Sequence, residues 1–450
     1  MLRTLVVLAL AAASSAALAV EESAPPTAAE APAPPQGLLA VPDYSGDLWG
    51  RNRLTGDWGG ARADLAEHGI QLDINFTQTM QSVVDGGRDT GTRYGGSLDY
   101  VMTLDLMRMG VLPGAMVKFR GESRYGNSAN GIAGPLLPVN ADGFFPLGDS
   151  LDEDIAFTLT NLTYIQFLSE TLGVMVGKID VLDGDANEFA SGRGVSQFMN
   201  GSLVFPTSPL IAVPVYSTLA AGVVWLPVKG VTVSSTVLNA TDSSTTTGFD
   251  DFGEGAAWTT EAQFQYRLGD LPGGQNVGFV YGFDHDFLDL NERFVFRPGE
   301  GLSVPTEDET WAAYWSMWQY LYVEQPDDGP INVTDGRQDR QGIGVFLRVG
   351  VADDDTNPLD VSVSGGVGAK GLIPGRDDDT LGVGVYYYNV EVNRLLVSET
   401  IEDEVMGFEA YYNMAVTPAA HLTFDLQVVE SALSAVDTGV VLGVRLNLAF

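Results

Sequence analysis

Four charged side chains alternate along one short segment of the chain. Residues 115–125 carry a charge at every second position from 118 onward, namely Lys118, Arg120, Glu122 and Arg124. In an extended strand every second side chain points to the same face, so these four form one row. A Lys or Arg that faces the bilayer midplane costs roughly 2–4 kcal/mol. The row therefore predicts a strand with one face in water and the other in lipid.

The chemistry of this row suits contact with polar solutes. Charged side chains of both signs form strong, oriented hydrogen bonds to hydroxyl groups. We therefore predict that the row lines a pore and contacts the substrate. Other positions of the same predicted inward parity extend the candidate set, namely Asp73, Asp105, Arg348, Lys370, Glu409, Asp425 and Arg445. For any single residue, solvation of a wide lumen or bracing of a loop is the alternative interpretation.

Residues 310–323 are rich in aromatic side chains on both predicted faces. One face carries Tyr314, Trp318, Tyr320 and Tyr322. A platform on which the flat faces of sugars stack is one interpretation, and it makes Trp318 a candidate substrate contact. An aromatic girdle with lipid contacts is the favoured interpretation, because the opposite face is aromatic as well.

The C-terminal segment, residues 440–450, has one unbroken apolar face. Its other face carries Arg445 and Asn447, and the chain stops at Phe450. Outer-membrane barrels commonly end on such a strand, and the terminal aromatic residue is the feature read by the barrel assembly machinery. A buried edge strand in a soluble sandwich is the alternative for this segment taken alone.

Alternation of this kind recurs along the chain and predicts about sixteen strands. This number is the size at which a closed barrel leaves an aqueous channel. The predicted segments are 71–80, 97–106, 115–125, 155–169, 173–179, 218–227, 231–239, 261–267, 276–283, 310–323, 342–351, 360–370, 381–390, 406–416, 422–429 and 439–450. The fold class is thus an all-β transmembrane antiparallel barrel. Eighteen strands remain an alternative, because residues 324–341 form a long connection where a short turn is due.

The N-terminal region divides into three predicted parts before the barrel. Residues 1–19 read as a signal peptide with Arg3, an apolar stretch and an Ala-Leu-Ala site that predicts cleavage after Ala19. Residues 20–53 form a linker that is rich in Pro and Ala in its first half. The porin-like domain then spans residues 54–450, and its first part, 54–70, contains a short periplasmic helix over 61–68.

Composition excludes several classes of function. A formal charge of −36 argues against nucleic acid as a partner. The chain has no cysteine and only three histidines, which leaves no thiolate metal site and little basis for a hydrolase. We predict no enzyme, cofactor or metal site. A glycosidase-like carboxylate pair stays open, as does calcium binding by the acidic runs 353–355 and 377–379.

Three motifs resemble one known family. The first is Leu-Thr-Gly-Asp-Trp-Gly-Gly-Ala-Arg at 54–62. The second is Asn-Glu-Phe-Ala at 187–190, followed by Gln-Phe-Met-Asn at 197–200. The third is Asn-Pro-Leu-Asp at 357–360, followed by Lys-Gly-Leu-Ile-Pro-Gly-Arg-Asp-Asp-Asp at 370–379 and then a Gly-alternating strand. In these residues the chain resembles the OprB-type carbohydrate-selective porins from about residue 54 to 450. The resemblance implies a sixteen-stranded outer-membrane barrel that passes sugars by facilitated diffusion.

The predicted function is passive diffusion of small sugars across the bacterial outer membrane into the periplasm. Expected partners are small carbohydrates, outer-membrane lipid and, through the strand that ends at Phe450, the assembly machinery. A homotrimer is left open. The first alternative is a general diffusion porin with cation preference and no sugar site. The second is a soluble or surface β-rich sugar-binding protein.

Overall fold

The computed structural model describes residues 37–184, 186–292, 295–297, 301–303, 305–325, 338–392 and 401–450. The predicted signal peptide and residues 20–36 of the predicted linker lie outside these residues. In the described part of the chain, the longest α-helix has seven residues, and no helix is long and apolar enough to cross a bilayer.

Sixteen strands form one closed antiparallel barrel, in which each strand pairs with its neighbours along the chain and β1 pairs with β18. Each corresponds to one of the predicted segments, so the predicted barrel and its strand number are confirmed. The barrel strands are β1 (Ile70–Gly87), β2 (Gly91–Asp105), β3 (Ala115–Gly126), β4 (Ile155–Phe167), β5 (Leu172–Asp180), β6 (Ser217–Val228), β7 (Val231–Asn239), β8 (Ala256–Leu268), β9 (Leu271–Leu288), β12 (Thr306–Val323), β13 (Gly342–Ala352), β14 (Val361–Lys370), β15 (Thr380–Asn389), β16 (Glu404–Thr417), β17 (Ala420–Val429) and β18 (Asp437–Ala449). A small hairpin, β10 (Val295–Arg297) with β11 (Gly301–Ser303), pairs separately from the barrel.

The two faces of the barrel wall differ as the alternation predicts. Outward positions on many strands expose large apolar side chains, among them Met80, Val176, Val385, Phe424 and Leu442. Inward positions are mostly polar, small or aromatic. An apolar outer belt of this kind is stable in contact with hydrocarbon and would be unfavourable in water.

A short helix closes the seam between the first and last strands. Helix α1 (Ala61–Glu67) lies within the predicted periplasmic segment, so the predicted helix is confirmed. Its buried Arg62 donates to the carbonyl oxygen of Phe450 at 3.0 Å and to Asp73 at 3.1 Å. The backbone of Leu54 bonds to Ala449 at 2.8 Å. These contacts bind the N-terminal segment to both strands of the closing pair, at the end where β1 begins and β18 ends.

Connections at the two ends of the barrel differ in length. Several long connections lie at one end, including residues 127–154, 181–216 and 240–255. Most connections at the other end, where β1 begins and β18 ends, are short, as at residues 229–230, 269–270 and 418–419. The long connection between β12 and β13 lies at this second end, and residues 326–337 of it are outside the described residues.

Two of the long connections fold into the barrel. We call residues 181–216 the inner loop; it contains α3 (Gly201–Val204) and α4 (Thr207–Ala212). Residues 127–154, which include α2 (Asn130–Ala133), form the second loop. The largest apolar core lies inside the barrel, where inner-loop residues Phe189, Phe198 and Leu203 pack against Trp318 and Tyr388 of the wall. The inner loop thus divides the lumen.

Candidate pore constriction

The charged row of β3 faces the root of the inner loop. Arg120 donates to Asp180 at 2.8 Å and to Asp183 at 3.0 Å, and its Nε lies 3.9 Å from Asp99. Lys118 also donates to Asp183. These side chains come from β2, β3, the end of β5 and the inner loop, so the ion pairs connect the wall to the loop.

A second group of ion pairs lies beside the first. Glu122 accepts hydrogen bonds from Arg193 at 3.0 Å and from the Tyr216 hydroxyl at 2.8 Å. Arg193 also donates to Asp180, and its guanidinium lies 5.2 Å from the centre of the Tyr216 ring. Arg193 has a φ of +55°, a left-handed conformation that is costly for a residue with a Cβ, and it lies between two glycines of similar φ. The contacts on both of its Nη atoms hold this conformation in place.

The charges of the constriction nearly cancel. The cations are Lys118, Arg120 and Arg193, and the carboxylates are Asp99, Glu122, Asp180 and Asp183. Burial alone would raise the pKa of Asp183, but the charges of Arg120 and Lys118 outweigh burial and hold that pKa below its usual value. The acid excess of the whole chain therefore lies mainly elsewhere.

The second loop contributes a further carboxyl beside the constriction. Burial raises the pKa of Asp142 to about 7, and its Oδ1 accepts a hydrogen bond from Ser97 at 2.7 Å. Arg124, the last member of the predicted row, donates to the carbonyl oxygens of Phe144 at 2.6 Å and Glu153 at 3.2 Å. It therefore holds the second loop in place rather than facing the open channel.

The opposite wall is built from glycine. On β13–β15 the inward positions include Gly344, Gly368 and Gly384, and a Cβ there would lie 2.3 Å, 2.7 Å and 2.9 Å from side-chain atoms of the inner loop. The atoms belong to Phe189 for the first two glycines and to Leu203 for the third. Absence of side chains along these strands is what allows the apolar part of the loop to lie against the backbone of the sheet.

Three predicted pore residues bind the backbone of the inner loop instead of lining the channel. Glu409 accepts the amides of Met199 at 2.5 Å and Asn200 at 2.9 Å. Arg445 donates to the carbonyl of Gln197 at 2.8 Å, and Arg348 donates to the carbonyls of Leu203 and Ala190. Their exposed fractions are 0%, 0% and 4% for Glu409, Arg445 and Arg348. The prediction of an inward face was correct for all three, and the prediction of solvent contact was wrong.

The prediction that Trp318 contacts the substrate requires the same correction. It faces inward, as predicted, but it is only 2% exposed and packs edge-on against Phe189 with ring centres 6.3 Å apart. Tyr320 is fully buried beside it. The inward aromatic face of β12 is therefore part of the seat of the inner loop, while outward Trp311 is partly exposed.

Four further candidates lie away from the constriction. Asp73 pairs with Arg53 at 2.6 Å, and Asp105 accepts the backbone amides of Arg108 and Leu39, so both hold the N-terminal segment at the barrel end. Asp425 is buried beside Gln427 at 2.8 Å. Lys370 lies at the C-terminal end of β14, 3.8 Å from Asp378.

Open space lies along the charged wall. A cavity of about 170 Å³ is bounded by Arg120 and Arg193 and by the carboxyl groups of Asp99, Glu122, Asp142 and Asp183. It adjoins a cavity of about 180 Å³ towards the end of the barrel at which β1 begins and β18 ends. A larger cavity of about 370 Å³ lies on the other side of the inner loop, where apolar loop residues such as Leu210 and Val213 face polar strand residues such as Thr236, Thr260 and Glu261.

Sequence reasoning missed the partners on the loop. Asp180, Asp183, Arg193 and Tyr216 were not predicted, although the motif at 187–200 marks the inner loop that contains Arg193. No metal site emerges in the described ranges, where no group of three or more His, Asp or Glu side chains is placed to bind one. In the acidic run 377–379, Asp379 is instead paired with Arg376 at 2.7 Å.

Comparison with known proteins agrees with this architecture. The family model described as "Carbohydrate-selective porin, OprB family" matches residues 89–450. The structure of OprB from Pseudomonas putida at high pH is 20% identical, with a TM-score of 0.74, and the match covers 89% of this chain and 99% of that chain. The low-pH structure of the same protein is 17% identical with a TM-score of 0.53 and the same coverage. No curated protein gives a significant match.

The structural matches, at these identities, support the fold alone, whereas the family model covers most of the chain. The residues that the family model matches include β3, the inner loop and the glycine wall of strands β13–β15. They therefore contain the whole constriction. The chain therefore belongs to the OprB family of carbohydrate-selective porins, and it is a channel of the outer membrane that passes sugars.

Proposed function

We propose that small neutral sugars cross the barrel by passive diffusion along the charged wall, with hydroxyl contacts to Lys118, Arg120, Glu122 and Arg193. The observation that carries this proposal is the mixed-sign set of charges around the 170 Å³ cavity, where Arg120 and Arg193 lie among four carboxyl groups and pair with two of them. Such a set offers donors and acceptors to a hydroxyl at little cost in net charge. A neutral solute then gains hydrogen bonds without competing with a strong single-sign field.

The larger cavity on the other side of the inner loop has an apolar wall on the loop side, although Thr236, Thr260 and Glu261 line its strand side, and the apolar wall makes it a poorer route for sugars. A hydroxyl that leaves water for an apolar surface loses hydrogen bonds, and the loss costs about 1–3 kcal/mol for each unsatisfied group. The charged side replaces those bonds. Transport by this route needs neither energy coupling nor a cofactor, and a porin barrel acts as a channel rather than an enzyme.

The competing proposal is a general diffusion porin with cation preference. The formal charge of −36 favours it, but the constriction itself is nearly balanced. Conductance in a planar bilayer separates the two, because a sugar that binds in the constriction reduces the ion current in a saturable manner. A current that falls only in proportion to bulk conductivity would support the general pore.

Arg120→Ala tests the role of the constriction in sugar binding. Loss of hydrogen bonds to Asp180 and Asp183 loosens the constriction, so we expect a larger conductance and a sugar affinity lower by about ten-fold or more, at about 1.5–3 kcal/mol for one lost hydrogen bond to a charged group. Arg267→Ala is the control, since Arg267 borders neither cavity of the charged side. Unchanged sugar block in Arg120→Ala would remove Arg120 from the site.

Export and assembly are also part of the proposal. A signal peptide over residues 1–19 would direct export, and the final strand with Phe450 would be read by the assembly machinery. Outward apolar rows on β1 and β18 support insertion into lipid. The proposed oligomeric state is a homotrimer. Native gel migration and cross-linking in detergent would test it.

A further inference from the structure

A polar row lies at the periplasmic end of the barrel, below the constriction. Neighbouring strands β14–β18 contribute one inward side chain each, namely Lys370, Thr380, Asn413, His421 and Asn447. Lys370 pairs in register with Thr380, Thr380 with Asn413, and His421 with Asn447. The row therefore follows from strand register, and it lies near the end of the barrel at which β1 begins and β18 ends.

The row borders its own cavity. This cavity has a volume of about 180 Å³ and is lined by the five residues of the row together with Gln338. This volume is enough for several water molecules and is of the size of one sugar ring. It meets the cavity of the constriction at Val195, Ser196 and Asn447, which line both. A solute that leaves the constriction towards the periplasm enters this space.

The chemistry of the row suits a neutral polyhydroxy compound. The Asn413 Oδ1 accepts a hydrogen bond from the ring Nδ1–H of His421 at 2.8 Å, and the Asn413 amide nitrogen donates to the inner-loop carbonyl of Ser196 at 2.9 Å. These bonds orient both side chains in advance. Lys370 lies 3.8 Å from Asp378, so its charge is balanced. The partly exposed Lys370, Thr380 and His421 offer ammonium, hydroxyl and imidazole groups to a solute, whereas Asn413 and Asn447, only 3% and 4% exposed, bind and orient their protein neighbours.

We propose that this row is a second sugar subsite, specific for a single pyranose ring, which receives the sugar from the constriction and releases it to the periplasm. The inference rests on the proposed function, since it extends the same route. Two weak sites in series bind a solute well enough to admit it and loosely enough to release it.

The absence of cysteine in the chain makes a direct test available. A single His421→Cys variant is reconstituted in a planar bilayer, and 2-aminoethyl methanethiosulfonate is added on the periplasmic side, so that the reagent reaches position 421 without crossing the constriction. The rate of labelling is read from the stepwise change in conductance, with and without D-glucose, D-mannose or D-xylose. His68→Cys is the matched control, because the His68 side chain on α1 is 73% exposed outside the barrel.

We expect at least one of the sugars to slow labelling at position 421 by about three-fold or more and to leave position 68 unaffected. Protection should persist in an Arg120→Ala background, with its own dependence on sugar concentration. Thr380→Cys, on the same row, serves as the second reporter if His421→Cys does not assemble.

Three outcomes would overturn the subsite. If sugar blocks the current but does not slow labelling, the exit row does not bind sugar and the constriction alone does. If protection disappears with Arg120→Ala, it arises from the constriction. If no sugar blocks the current or protects either position, the sugar-binding pore itself fails, and the subsite fails with it.

Discussion

Two walls of the same barrel use opposite chemistry. On β2 and β3 the inward positions carry long charged side chains, and open space remains in front of them. On β13–β15 several inward positions are glycine, among them Gly344, Gly368 and Gly384, and side chains of the inner loop pack directly against them. One wall builds a channel with side chains, and the other removes side chains to hold the loop that narrows this channel. The width of the pore therefore depends as much on the glycine wall as on the charges.

The largest effect on the pore is expected from adding a side chain to the glycine wall. In Gly368→Val the Cβ would lie 2.7 Å from the Phe189 ring, so the inner loop must move away from β14. We expect a several-fold larger single-channel conductance, loss of sugar block and a destabilisation of about 1–3 kcal/mol from overpacking.

Gly365→Val is the matched control for this change. Gly365 lies on the same strand but borders an outward groove with Val385 and Phe408, away from the loop. Sugar block and conductance should stay at wild-type values in this variant. Equal behaviour of the two variants would show that the inner loop does not depend on the inward glycine face.

A smaller effect is expected from the polar anchors of the loop. Glu409→Ala leaves the buried amides of Met199 and Asn200 without their acceptor, which costs about 1–3 kcal/mol for each amide. We expect a noisier open-channel current, as the loop fluctuates, and a lower apparent melting temperature in detergent. Glu404→Ala, at the exposed start of the same strand, should change neither quantity.

On the charged wall, Arg193→Lys tests whether the guanidinium group, and not only its positive charge, is needed. Lysine retains the charge and, like arginine, has a Cβ at this left-handed position. One ammonium group, however, cannot replace two Nη atoms that bind Asp180 and Glu122 separately. We expect sugar affinity to fall a few-fold while the thermal stability of the barrel stays close to wild type. Arg267→Lys is the control, and a loss of affinity there as well would point to a general effect of charge.

The sequence was sufficient for the barrel because strand alternation is a local signal. The sixteen segments and the charged row of β3 follow from it directly. Parity also placed Arg348, Glu409 and Arg445 on the inner face, but it carries no information about what covers that face. The partner of Glu409 lies 210 residues away along the chain, so only the folded loop reveals that Glu409 is an anchor. The Gly-alternating strand was recognised as a motif, whereas its physical role required the position of Phe189.

The smallest expected effect concerns pH. Burial raises the pKa of Asp142 to about 7, so the folded protein holds this proton more tightly than the unfolded chain does. Stability should therefore fall as the pH rises from about 4 to 7. Asp142→Asn keeps an acceptor for Ser97 and removes the ionisation. We expect its apparent melting temperature to exceed that of wild type by a few degrees at pH 8, with the difference shrinking towards pH 4.

Asp149→Asn, at an exposed position of the same loop, is the control for the pH experiment. Its melting temperature should follow that of wild type across the whole range. A constant difference between Asp142→Asn and wild type at all pH values would attribute the effect to packing rather than to the proton.

The most direct measurement is a crystal structure of the protein soaked with the sugar that blocks the current most strongly. We predict a sugar ring in the cavity between β3 and the inner loop, with hydroxyls within hydrogen-bond distance of Arg120 and Arg193, and with Phe189 still seated on Gly344 and Gly368. A sugar bound only in the larger cavity beyond the inner loop, or a loop that has left the glycine wall in the bound state, would contradict this account.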